Sequence, residues 1–331
     1  PYWVGVIYVA LVVGFTVYKG GFRSQAWVGA LQCVLFTIVM WVSVFLVLSL
    51  PQVGGVGNMF HYLAENTEAL KYQIAPTASF TWKTYASLFF AQGLGGFLAP
   101  YVWQRMYAAD SAETNRRMAG LMSPFYVFVV MFPIMLVAMA GMVLYPELEN
   151  VDTIFMTVAF DHFPVWAVAV TVGILAAGMS TISAQLICAS SLISVDLIKQ
   201  FKPDMSTEKV SRTGKNVVLV LLVLVVALSL VRVQSIMALS NLAMSGWAQL
   251  IFPLIGIFFW KRATKEGAIA GLVVGVFLVA FFNFVVVNPF GLQSSIYGLI
   301  GNGVTFVAVS LLTKPKADPK TLEKFEVQMT K

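Results

Sequence analysis

The sequence predicts an all-α integral membrane protein, and three observations predict it. Of 331 residues, 59% are hydrophobic and only 11% are charged, against roughly 25% charged in a soluble domain, so too little charge is left to cover a water-facing surface. The apolar residues gather into nine long runs, each well beyond the roughly 9–11 residues of a membrane β-strand. No Asp, Glu, Lys or Arg interrupts the interior of any run. Backbone groups in lipid must bond within their own segment, so runs of this length are helices despite their Val, Ile and Phe content. A soluble enzyme, a disordered tail and a disulfide scaffold are excluded together.

The runs fall near 2–18, 27–50, 84–104, 119–145, 164–195, 216–231, 236–260, 267–287 and 294–312. The first two flank a short basic connection, Lys19 to Arg23. The third reads TYASLFFAQGLGGFLAPYVWQ, with Gln92, Gly93, Gly95 and Gly96 near its middle and Pro100 within two turns. Glycine weakens a helix, and proline removes a donor and blocks the carbonyl four residues back. The spacing predicts a broken or kinked span, whose freed backbone groups are tolerated beside a cavity or a ligand; close helix packing through the glycines is the alternative.

The fifth run contains LAAGMSTISAQLICASS, residues 175–191. Ala177, Ser180 and Thr181 lie at i, i+3 and i+4, on one face of a helix. Two hydroxyls and a nearby carbonyl offer oxygens to a small cation. The competing reading is packing, because Gly173, Ala177, Thr181 and Ala184 form a small-residue stripe, and membrane Ser and Thr often bond their own i−4 carbonyl. The seventh run carries Ser240, Asn241, Ser245, Gln249 and Pro253, which read as interhelical hydrogen bonds and a kink rather than as a gate. Asn283 and Asn302, in the last two runs, read the same way. With no carboxylate inside the membrane, a bound ion must be met by neutral oxygens, which suit an alkali cation better than a proton.

Nine spans put alternate loops on opposite faces. One set of loops holds all the Lys and Arg except Lys71, Lys83 and Arg232, while Glu65, Glu68, Glu147, Glu149, Asp152 and Asp161 crowd the other. The split places residue 1 outside and the tail from Lys314 in the cytoplasm. The net charge of +6 therefore belongs to cytoplasmic loops and not to a nucleic-acid surface. Cys33 and Cys188 lie in apolar runs as buried thiols, and His61 and His162 lack partners at metal-ligand spacing. The spans hold no zinc motif and no Ser/Lys or Asp/Asp pair, which argues against an intramembrane enzyme. The chain begins at Pro1 directly in an apolar run, and the expected start lies upstream.

At this point the motifs match a family. AAGMSTISAQLICASSLISVDLIK (176–199) closely resembles the signature of the sodium:solute symporter family, the carriers of proline, sugars, pantothenate and monocarboxylates. The Gly20–Gly21–Phe22 segment with Trp27 and Gln32, PYVWQRMYAADS (100–111) and the stretch from Pro253 to Gly271 follow in the family's order. The resemblance implies a leucine-transporter-like inverted-repeat bundle, N-terminally incomplete, with residues 1–313 as the transporter domain and 314–331 as a basic cytoplasmic tail. It implies Na⁺ as the coupling ion, held by the Ala177 carbonyl and the Ser180 and Thr181 hydroxyls, with the remaining ligands on a helix upstream of this chain. It makes span 84–104 the second broken helix, and Gln92, Gly95, Gly96 and Phe97 are the expected solute contacts.

The implied activity is sodium-coupled symport of a small organic solute by alternating access, in a multi-pass plasma-membrane protein and without enzymatic chemistry. Two features bear on the solute. Val28 and Gly29 follow Trp27 where the proline and sugar branches carry an Asp two residues on, and YPELENVDTIFMTVAFDHFP (145–164) is similar to pantothenate and monocarboxylate carriers. The first moves the chain away from the proline and sugar branches, and the second favours a small organic carboxylate. An amino acid such as proline, a sugar, or a non-transporting sensor on the same scaffold are the alternatives.

Overall fold

A computed structural model of the chain describes residues 2–66, 81–148, 150–231, 236–287 and 289–314. The expected tail beyond Lys314 lies outside these residues, as do Lys71, Arg232, Glu68 and Glu149. The described residues form helices and turns, with no strand among them. In chain order the helices are α1 (Tyr2–Leu48), α2 (Gly55–Glu65), α3 (Trp82–Leu98), α4 (Pro100–Tyr107), α5 (Ala112–Leu144), α6 (Ile154–His162), α7 (Pro164–Phe201), α8 (Thr207–Val231), α9 (Ile236–Ala248), α10 (Ile251–Phe259), α11 (Lys265–Phe284) and α12 (Ser294–Leu312). Hydroxyl side chains cap several starts: Thr81 accepts from the Thr84 N–H, Ser111 from Thr114 and Thr264 from Gly267. Pro164 opens α7 at its first position, where no N–H is needed.

Seven helical stretches among the described residues, with α9 and α10 taken as one, are long and apolar enough to cross a membrane, against nine runs in the sequence. The difference has two local causes. Runs 2–18 and 27–50 are counted together in α1, yet Gly21 between them is non-helical, at φ 59° and ψ −159°. Only glycine holds that backbone comfortably, and the chain reverses there, since Tyr2 and Gly14 meet Ser229 and Leu222 of α8 on one arm while Val39 meets Gly173 of α7 on the other. Run 84–104 is cut into α3 and α4, and neither piece is long enough alone. The cut is not at the glycines, as the sequence suggests. Gln92 through Gly96 are helical, and the helix ends at Ala99 (φ −57°, ψ 122°), because the residue before a proline is driven out of the α region.

The chain divides into two units, residues 1–75 with 104–235, and residues 76–103 with 236–331. In the first, the two arms of α1 lie along α7 in opposite senses: Val13 and Val17, before Gly21, pack on Met179 and Leu186, and Val39, after it, packs on Ala167 and Val170. The Trp166 indole N–H closes the far end by donating to the Ser43 hydroxyl at 2.9 Å. A third cluster joins the end of α1 to α2, α5 and α6 through Val44, Met59, Leu136 and Val158. Two long helices each contain a seven-residue π segment, Phe125–Met131 in α5 and Leu192–Ile198 in α7. After the first, Pro133 has no N–H for the Val129 carbonyl, and the Trp41 indole of α1 donates to that oxygen at 3.1 Å.

In the second unit, α11 and α12 approach along the glycine stripe Gly267, Gly271 and Gly275. A Cβ at Gly267 would lie 2.1 Å from the Ser310 hydroxyl, and one at Gly271 2.5 Å from the Asn302 amide oxygen. Arg262 donates to the Thr313 and Leu311 carbonyls at 2.9 and 3.1 Å, covering the open C-terminal end of α12 with a cation. On the other flank, α9 packs on α3 so closely that a Cβ on Gly95 would meet the Met244 carbonyl oxygen at 2.3 Å.

Candidate functional site

The first group of expected site residues lies in the middle of α7. The Ser180 hydroxyl donates to the Ala177 carbonyl at 2.8 Å and the Thr181 hydroxyl to the same oxygen at 3.2 Å. Ala177 and Ser180 are half-buried and Thr181 is exposed. Both hydroxyls are thus bonded to their own helix, as Ser and Thr in membrane helices often are. The same bonds gather three oxygens around one turn and direct both hydroxyl protons onto the carbonyl. The hydroxyl lone pairs remain free, and lone pairs are what an alkali cation uses. Exposed Gly178, Thr181 and Gln185 line one face of the turn, with exposed Ile174 at its edge.

The second group lies in the second unit, on the last two turns of α3. The Gln92 amide donates to the Asn241 side-chain oxygen of α9 at 2.7 Å. Gly95 is buried against the Met244 backbone, whereas Gly96 is half-buried with nothing within 4 Å of its missing Cβ. Phe97 is 50% exposed; its ring meets Trp103 edge-on, with centroids 5.7 Å apart. The break leaves the Phe97 carbonyl without a continuous helix to serve it, and the Trp103 indole N–H donates to it at 2.8 Å. On the α4 side, Tyr101 stacks edge-on against Trp247 of α9 at 5.7 Å. The arrangement is an interrupted helix whose two ends are held by aromatic side chains, with one open glycine and one amide pair beside them.

Sequence reasoning selects Gln92, Gly95, Gly96 and Phe97 but misses Trp103, Tyr101 and Trp247. The signal was present in the aromatic content of PYVWQRMY, immediately after the proline. Asn241 does what its place in the seventh run suggests and bonds between helices. Asn302 does so too, donating to the Gln249 carbonyl at 2.8 Å, whereas the buried Asn283 amide nitrogen has no hydrogen-bond partner among the described residues. A further polar cluster sits where α5 ends. The Tyr145 hydroxyl donates to Asp161 at 2.6 Å and lies 3.3 Å from the His162 ring. Burial, followed by the Asp161 hydrogen bond and charge, pushes the Tyr145 phenol up to about 12.

Comparison with known proteins bears on these residues. The model of the sodium:solute symporter family matches residues 1–275. A sodium/proline symporter of Haemophilus influenzae is 28% identical over 93% of this chain and 64% of its own length. A sodium/pantothenate symporter of the same organism is 24% identical over 97% of this chain and 66% of its own length. The chain therefore spans about three fifths of the length of such relatives. Among solved structures, a substrate-bound, outward-open Na⁺-coupled sialic acid symporter superposes with a TM-score of 0.76 at 20% identity, covering 95% of this chain and 68% of that one. That likeness is one of fold.

Proposed function

This chain belongs to the sodium:solute symporter family, and from that premise we propose that it forms most of a sodium-coupled symporter for a small organic solute carrying a carboxylate. The observation that carries the proposal is the convergence of the Ser180 and Thr181 hydroxyls on the Ala177 carbonyl, a neutral oxygen set of the kind that suits Na⁺. Three oxygens are too few to hold the ion alone, so further ligands come from elsewhere in the full-length protein. The solute binds at the interruption between α3 and α4, against Gln92, Gly95, Gly96 and Phe97. A carboxylate is drawn there by the positive dipole end of α4 rather than by free N–H groups, since Pro100 has none and the Val102 and Trp103 N–H groups donate to the Ala99 carbonyl. Coupling requires that Na⁺ favour the solute-ready state over the alternative, since a ligand without differential affinity shifts nothing.

Proline is the first solute to test. The sequence sets it apart as the alternative to a pantothenate- or monocarboxylate-type solute, but it too carries a carboxylate, and relatives named for proline and for pantothenate support testing both. The absence of an acid after Trp27 thus separates the chain from the proline carriers less than the sequence alone suggests. In the same reading, residues 1–313 form the transporter domain, residues 314–331 a tail on the cytoplasmic side, and the basic loops share that side.

The experiment is uptake of labelled proline and pantothenate into vesicles holding the full-length protein, with Na⁺ varied. Ser180→Ala and Thr181→Ala each raise the Na⁺ concentration for half-maximal uptake by about tenfold or more, as loss of one ion ligand of roughly 1.4 kcal/mol requires. Unchanged Na⁺ dependence in both variants rejects the α7 site. Uptake that ignores Na⁺ altogether rejects symport.

A further inference from the structure

Neither the sodium reading nor the solute reading uses a cleft of about 420 Å³ in the first unit, lined by Tyr18, Thr207, Glu208, Ser211, Arg212 and Lys215. Its walls are the Tyr18 turn of α1 and the first turns of α8. The Lys215 ammonium is held 5.4 Å above the Tyr18 ring, a cation–π contact that fixes it at the wall without neutralising it. Arg212 lies one turn after Glu208, yet the two make no ion pair, and no other carboxylate among the described residues takes the guanidinium. The cleft thus combines two cations with no ion pair among the described residues, the hydroxyls of Tyr18, Thr207 and Ser211, and one carboxylate, with a net charge of +1.

What lies beyond the cleft indicates the kind of anion. α1 and α8 run antiparallel: Tyr2 donates to the Ser229 carbonyl near the far end, and Gly14 packs on Leu222 between. One and two turns inward from Tyr18 are Phe15 and Leu11, 68% and 67% exposed; one and two turns inward from Lys215 are Leu219 and Val223, 45% and 69% exposed. Helical spacing puts each pair on the same face as the cleft residue it follows. The charged cleft therefore opens directly onto an apolar strip carried by two membrane-crossing helices.

We propose that this cleft binds the phosphodiester headgroup of an anionic phospholipid, with its acyl chains along Phe15 and Leu11 on one side and Leu219 and Val223 on the other. Arg212 meets the phosphate oxygens with its paired N–H donors, Lys215 adds the second charge, and the Ser211 and Thr207 hydroxyls donate the remaining bonds. A basic pocket between membrane helices is a recurrent setting for such headgroups. Glu208 sets the valence: a net +1 cleft suits a singly charged diester better than free phosphate, which carries more charge at neutral pH and has no use for the apolar strip.

The test uses the full-length protein, delipidated in detergent and followed by native mass spectrometry during titration with dioleoyl phosphatidylglycerol, dioleoyl phosphatidylcholine or inorganic phosphate. Phosphatidylglycerol occupies one position about tenfold more tightly than phosphatidylcholine, and Arg212→Gln combined with Lys215→Gln removes that preference. Glu208→Gln, which keeps both cations and deletes the acid, tightens phosphatidylglycerol binding several-fold. Equal binding of the two lipids overturns the proposal, as does inorganic phosphate displacing phosphatidylglycerol, which would make the cleft a site for a soluble anion. An unchanged phosphatidylglycerol affinity in Glu208→Gln overturns it even where the double variant has lost binding through misfolding.

Discussion

The Asn302 side-chain amide donates to the Gln249 carbonyl at 2.8 Å, and that carbonyl is the one Pro253 cannot serve. In an unbroken helix the N–H of residue 253 would reach the oxygen of residue 249; proline has none. The helix parts between α9 and α10, and Gln249 and Asn302 are both fully buried there. An orphaned carbonyl in such a place costs about 1–3 kcal/mol. Asn302→Leu therefore lowers thermal stability by that order in detergent. Asn302→Asp is worse, because it sets a carboxylate oxygen against the Gln249 amide oxygen, which now lies 3.2 Å from the Asn302 nitrogen. Melting curves of both variants that overlay the wild type would refute the role.

The same core predicts opposite outcomes for two glycines. A Cβ at Gly275 would lie 2.6 Å from the Gln249 amide oxygen and 2.8 Å from the Asn302 Cβ, whereas one at Gly93 meets nothing within 4 Å. Gly275→Ala forces α11 and α12 apart and costs about 1–3 kcal/mol as overpacking. Gly93→Ala is neutral or stabilises by about 0.5–1 kcal/mol, the helix-interior advantage of alanine. Melting temperatures measured side by side check the pair, and a reversed order would show that the close approach does not govern packing.

The fold class was legible in the sequence because lipid admits few solutions: long uncharged runs must become helices. The grouping of Ala177, Ser180 and Thr181 on one helix face was legible by spacing alone, and the structure adds that both hydroxyls donate to the one carbonyl. The location of the break in α3 was not. Three residues of weak helix preference, Gly93, Gly95 and Gly96, looked like the fault, but the segment is helical, with Gly95 seated on the Met244 backbone. Pro100 acts through steric exclusion of Ala99, which packing cannot override. Also hidden was the identity of the donors that repair freed carbonyls. Trp41 reaches Val129 across 88 residues of sequence and Asn302 reaches Gln249 across 53, and no local pattern announces either contact.

The phenol of Tyr145 donates to Asp161 only while protonated. Its native pKa of about 12 stands above the ordinary 10.0, with burial the first cause and Asp161 the second. A raised native value means that the stabilisation is fully present below pH about 10 and is lost as pH climbs through about 12. Stability at neutral pH is therefore insensitive to this group's titration, and Tyr145→Phe costs about 1 kcal/mol there by loss of the hydrogen bond. The difference in tyrosinate absorbance between the wild type and Tyr145→Phe isolates the one titration. Asp161→Asn brings it down towards the ordinary range without reaching it, because burial persists. A difference curve centred at the ordinary value in the wild type would contradict the contact.

Pro100 separates α3 from α4, and its replacement tests whether the separation serves transport. Pro100→Ala returns an N–H to the chain and releases Ala99 from its extended ψ of 122°. Two helices of 17 and 8 residues can then join into one, closing the open turn beside Gly96 and leaving Trp103 no free carbonyl at Phe97. Removing a helix-breaking proline favours the joined form by up to about 3 kcal/mol, so the variant melts at or above the wild-type temperature. Under the proposed function, sodium-dependent uptake nevertheless falls at least about tenfold, because the half-helix end proposed to receive the carboxylate no longer exists. Lower uptake with a lower melting point would be ordinary damage, and undiminished uptake in a stable variant would remove the α3–α4 interruption from the mechanism. Only higher stability together with lost uptake identifies the break as a feature held against the helix's own preference.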